Sequence, residues 1–132
     1  GWFRKPPRAA DKHDRPGMIN LKLRGTLPLV EAARLLSLKA GTLATSTLNR
    51  LDDLLAKGTL HSDDHDQLKD AFQFISRLLL RQQIEDSEAR REVGDFVPEA
   101  RLSKGEKEHL VACLRTIVNQ RSILQADLAA RA

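Results

Sequence analysis

The sequence predicts an all-α protein, an antiparallel four-helix bundle entered through an extended N-terminal arm. Three observations carry the prediction. Leu and Ala dominate, β-branched runs are absent, and aromatic residues amount to one Trp and four Phe. Apolar residues recur at three- and four-residue spacing over four separate stretches. The stretches are joined by short connections and one loop of about ten residues, the lengths that link antiparallel neighbours.

The stretch INLKLRGTLPLVEAARLLSL, 19–38, organises the rest. Ile19, Leu21 and Leu23 alternate with Asn20 and Lys22, which predicts a short extended piece over Ile19–Leu23. A turn at Gly25 follows, with Thr26 as a hydroxyl cap ahead of Pro28. In the next helix Leu29, Val30, Ala32, Ala33, Leu35, Leu36 and Leu38 leave Glu31, Arg34 and Ser37 as a narrow polar stripe. A helix so apolar must be covered on most sides, which predicts the central helix. Gly41 stops it.

Ser46 or Thr45 caps a second helix over about Thr47–Lys57, closed by Gly58, with Leu48, Leu51, Leu54 and Leu55 on one face. Ser62 caps a third, whose Asp63, Asp64 and Asp66 suit the positive end of the dipole. It runs to about Asp86 or a turn beyond, with Leu68, Ala71, Phe72, Ile75, Leu78 and Leu79 inward and Asp70, Phe74, Arg77 and Arg81 roughly opposite. Glu85–Asp95 reads as a charged surface loop or frayed end, and Phe96, Val97 and Pro98 return to the core. Ser103-Lys104-Gly105-Glu106 has capping-box spacing. The last helix, about Lys104–Ala130, carries Leu110, Leu114, Ile117, Leu124 and Leu128 on one stripe, with Arg121 anomalously in it.

At 132 residues the chain is one domain, long enough to bury a core without staples. We divide it into an arm, 1–18, and a helical domain, 19–132. The arm begins with a Trp2–Phe3 pair and no initiator Met, as a cut inside a longer protein would, and those aromatics are expected to dock on the bundle. The lone Cys113 excludes an internal disulfide and suits a reducing cytoplasm; no apolar run approaches ~18 residues. A cytoplasmic, soluble protein with no membrane partner is the expectation. The sequence pI is 9.6. Yet residues 1–24 hold a net charge of +5 and the remainder −1. Basicity confined to a Pro-rich arm argues for a linker or strap and against a nucleic-acid-reading face.

A search for catalytic constellations finds none: no Gly-rich phosphate loop, no GxSxG and no CxxC. His61 and His65 are four apart but straddle a helix start beside aspartates, with no further ligand at meaningful spacing. Asp52–Asp53 reads as a wet face, and His109 as solvated. No metal or catalytic residue is assigned.

The pattern INLKxxGxxPxxxxARLLxL, followed by Thr47, Arg50-Leu51, Gly58, Leu60, Ala71-Phe72, the Arg77…Arg81…Gln83 region, Val97-Pro98 and Leu102-Ser103-xx-Glu106, resembles a bacterial nucleotidyltransferase substrate-binding domain. The opening GWFRKPP is similar to the segment that leads into such domains. The family pattern favours an acid where Asn20 stands, a further Arg near Leu79 and a His near Gln82. The resemblance implies the C-terminal part of a multidomain signalling protein, behind a nucleotidyltransferase domain and often behind CBS-pair and cyclic-nucleotide-binding-like modules. It implies that Mg²⁺ and a nucleoside triphosphate are used by the parent protein, with no cofactor in this segment. This chain's implied share is one wall of the cleft that holds the nucleotide or the acceptor, a regulatory protein or small molecule.

On that resemblance the substrate-binding candidates are Lys22, Arg34, Thr47, Arg50, Arg77 and Arg81, cations and a hydroxyl suited to phosphate or carboxylate. Each has a plain structural use as well: Arg34 with Glu31, Arg50 with Asp53, Arg77 with a carboxylate across the bundle. The alternative reading is a regulatory or dimerisation bundle, with homodimerisation through an exposed Leu-rich stripe. An autonomous nucleic-acid binder is the third.

Overall fold

The computed structural model describes residues 15–130. It consists of β1 (Met18–Asn20), a π-helical turn (Lys22–Thr26), α1 (Leu27–Ala40), α2 (Thr47–Ala56), α3 (Ser62–Glu88), β2 (Phe96–Pro98), a 3-10 turn (Glu99–Arg101) and α4 (Lys104–Ala130). The chain is thus mostly helical, with four helices of unequal length plus a ribbon that the sequence reading lacked. The expected docking of Trp2–Phe3, and the contacts of Leu124 and Leu128, lie outside the described residues and side chains.

The ribbon pairs β1 and β2 antiparallel, with Ile19 opposite Val97. Both side chains are buried, so two distant segments close one edge of the core. The extended piece ends at Asn20, three residues earlier than the alternation suggests. Asn20 Oδ1 accepts from the Leu23 N–H at 3.0 Å, the contact of a helix N-cap, and turns the chain helical. An Asp carboxylate at this position would accept the same bond. Gly25 is therefore no turn. It lies buried in the π-helical turn, where a Cβ would stand 2.9 Å from Ile75 Cδ1 and 3.1 Å from its Cγ2, so any larger residue would force the Ile75 side chain to shift. Thr26 is already helical and makes no side-chain cap.

Helix α1 is not the central one. Leu29, Ala32, Ala33 and Ser37 are its buried residues, whereas Leu35 and Leu38 face solvent. The buried set falls at three- and four-residue steps, and the remaining leucines project past it. The central element is α3, packed against α2, α4, β2 and the π-helical turn. Ile19, Leu21, Leu29, Leu51, Leu54, Ile75, Val97 and Leu110 are fully buried, each contributing roughly 1.5–3 kcal/mol.

Local punctuation follows the sequence. Gly41 ends α1 at φ 72°, with the Thr42 N–H donating to Ser37 O. Ser46 caps α2 through the Asn49 N–H, and Ser103 and Glu106 form the reciprocal box that starts α4. Ser62 is not a cap. The extended residue at the start of α3 is His61, and Ser62 is its first helical residue. The end of α3 uses Arg90 in the left-handed region, φ 56°, with the Arg91 N–H donating to Asp86 O. Arg121 is exposed, not set in the α4 seam, whose buried positions are Leu110, Cys113 and Ile117.

Candidate functional site

Helical spacing puts Asp70, Phe74, Arg77 and Arg81 along one line of α3, and Glu106, His109 and Cys113 along one line of α4. The two lines meet. Asp70 Oδ2 lies 2.6 Å from His109 Nε2, and the His109 ring stacks on Phe74 at 4.0 Å. Arg81 grips Glu106 through two parallel bonds, 2.7 and 3.1 Å. The α3 line is therefore the seam with α4 and not a face opposite the packing. His109 is a partner at the edge of that seam, its side chain still 40% exposed.

At the Arg81 end the seam opens into a hollow of ≈ 510 Å³. Phe74, Leu78, Leu80 and Ile84 form its apolar lining, and Arg77, Arg81 and Glu106 its charged rim. The Arg81 guanidinium and the Ser103 N–H hold the Glu106 carboxyl well below its usual range, at about 2. The carboxylate in turn raises Arg81. Arg81 is thereby fixed in place with its charge largely answered. Arg77 is exposed and makes no ion pair among the described residues. Two arginines four residues apart repel unless an anion meets them, and Glu106 meets one.

The other candidates do not line this hollow. Lys22 is exposed on the π-helical turn, and Arg34 is exposed on α1 without an ion pair to Glu31. Thr47 is buried at the first position of α2. Arg50 donates from Nε to Ala44 O at 3.0 Å, fastening the α1–α2 connection in place of pairing with Asp53.

A larger, open hollow of ≈ 1050 Å³ lies where the β1–β2 ribbon meets the end of α3, and sequence reasoning missed it. Half of its charged residues are spent on one another. Arg91 pairs with Asp86 at 3.0 Å and Arg101 with Glu85 at 2.6 Å, while Arg15 lies over the Phe96 ring at 4.2 Å. Gln82 donates to Asp86 as well and, with Arg91, keeps that carboxyl below its usual range. Glu88, Glu92 and Asp95 add further negative charge, an environment that disfavours a polyphosphate.

His65 is buried and clamped between Asp52 at 2.8 Å and Asp66 at 2.9 Å. Asp52 first, then Asp66, raises its pKa. The clamp ties α2 to α3, and Lys69 reinforces it at 3.3 Å from Asp52. Cys113 is buried, and burial followed by the nearby Asp70 charge pushes its thiol up to about 12. It is thus no free nucleophile at neutral pH.

A family model described as "Putative nucleotidyltransferase substrate binding domain" matches residues 1–128. The chain belongs to that family. The match spans nearly all of this substrate-binding domain, including the leading arm and both halves of the α3–α4 seam. No curated protein and no solved structure matches the chain. No helix among the described residues is long and apolar enough to cross a membrane.

Proposed function

We propose that this domain is the non-catalytic, substrate-holding part of a multidomain signal-transduction nucleotidyltransferase. It forms one wall of the cleft in which the nucleotide or its acceptor sits, while a neighbouring nucleotidyltransferase domain supplies Mg²⁺, the triphosphate and the bond-making. The observation that supports this most is Arg77, a cation without an ion pair among the described residues, beside Arg81 at the rim of an apolar hollow. A guanidinium in that position accepts a phosphate or carboxylate through charge-assisted, bidentate bonds. Arg81, its charge answered by Glu106, fixes that rim of the hollow and leaves Arg77 as the cation available to the substrate. The six candidates from the sequence narrow to these two.

The test is steady-state transfer by the full-length protein. Arg77→Ala is expected to raise KM for the anionic substrate about tenfold with kcat nearly unchanged, the signature of lost uniform binding. Arg34→Ala serves as the control. Identical kinetics in wild type and Arg77→Ala would overturn the proposal.

A second reading, a regulatory or dimerisation module relaying a signal from CBS or cyclic-nucleotide-binding modules, draws support from Leu38 and Leu43, 72% and 95% exposed. Under it, Leu38→Glu leaves basal transfer intact and blunts the response to the sensor's ligand.

A further inference from the structure

We infer that Asp70, His109 and Cys113 form a binding site for a divalent transition-metal ion of the zinc type. His109 and Cys113 stand one turn apart on α4, the spacing at which two ligands on one helix face reach a common ion. Asp70 comes from the facing helix α3. One ligand atom from each of the three residues lies within 4.8 Å of the others. Asp70 Oδ2 is shared, lying 2.6 Å from His109 Nε2 and 3.9 Å from Cys113 Sγ.

A tetrahedral zinc ion with bonds of about 2.0–2.3 Å sets its ligand atoms roughly 3.3–3.6 Å apart. The carboxylate and imidazole need to part by under about 1 Å to admit the ion, and the sulfur and carboxylate to close by a few tenths. Asp70 can make that adjustment, since its side chain is 56% exposed. Stacking on Phe74 already sets the plane of the His109 ring.

The ligand chemistry selects the ion. A thiolate, an imidazole and one carboxylate suit a borderline-soft metal and not Mg²⁺ or Ca²⁺. Three protein ligands with an open side leave a fourth position to water or another donor. The cluster is not arranged as a nucleophile and its base. Both Cys113 and His109 bond to Asp70, so no imidazole stands ready to take the thiol proton. The site goes beyond the substrate-binding reading, and its test involves no transfer reaction.

The test strips the purified full-length protein with a chelator and titrates it with Co²⁺, then with Zn²⁺ in competition. Expected are a thiolate-to-cobalt charge-transfer absorption, tetrahedral d–d bands, and displacement of both by Zn²⁺. His109→Gln and Asp70→Asn, at partly exposed positions, are each expected to weaken the ion at least tenfold. Cys113→Ser is expected to remove the charge-transfer absorption. Circular dichroism confirms that each variant is folded. No thiolate absorption, or a thiolate absorption unchanged in both His109→Gln and Asp70→Asn, would overturn the inference.

Discussion

Replacing Glu106 by Gln tests the charged rim of the α3–α4 seam. The carboxylate accepts from Arg81 Nη1 and Nη2 and from the Ser103 N–H. The amide keeps one oxygen for the Ser103 N–H but turns an NH2 toward an arginine that can only donate. A depression of the carboxyl from 4.5 to about 2 corresponds to at most about 3–4 kcal/mol. Arg81 is 45% exposed, and water screens such a pair, so the expected loss is about 1–2 kcal/mol. The sign follows from the lowered folded-state value. The contribution is fully present above pH 4.5 and is lost as pH falls toward about 2. Urea unfolding of wild type and Glu106→Gln at neutral pH and at about pH 3 measures it. The difference between the two is expected to shrink by more than half at the lower pH. A difference that stays constant with pH would refute the electrostatic account and leave only packing.

Three further outcomes follow from the fold. Gly25→Ala is expected to lose about 1–3 kcal/mol in a denaturant melt, because its methyl meets Ile75 Cδ1 at 2.9 Å. Arg90→Gly is expected to gain about 0.5–1 kcal/mol in the same assay, by relieving a left-handed residue at φ 56°. For His65, whose pKa is raised by Asp52 and Asp66, the stabilisation is present below pH 6.5 and lost as pH rises through the raised value. The stability difference between wild type and His65→Gln should therefore narrow on the alkaline side, measured by thermal unfolding across pH.

What the sequence made legible was local. Gly41 and the Ser46 and Ser103 caps act within a turn or two of themselves, and each stands where its chemistry suggested. What it hid depends on residues far apart in the chain. The pairing of Ile19 with Val97 leaves no mark in either short segment. The alternation of Ile19, Leu21 and Leu23 looked like strand until Asn20 capped a helix instead, burying Leu21 and leaving Leu23 39% exposed. The leucines of α1 overstated its centrality, because the sequence does not say which of them the neighbouring helices reach. The Asp70–His109–Cys113 cluster, and the grip of Arg81 on Glu106, require the register of α3 against α4. In consequence Arg77 and Arg81 were named from the resemblance, while the seam that gives them a setting was not foreseen.

The most direct measurement is arginine-specific chemical modification of the full-length protein, read by mass spectrometry with and without saturating nucleoside triphosphate or acceptor. The account predicts that bound substrate shields Arg77 and leaves Arg34 as reactive as before. Equal modification of Arg77 in the free and saturated protein would contradict it.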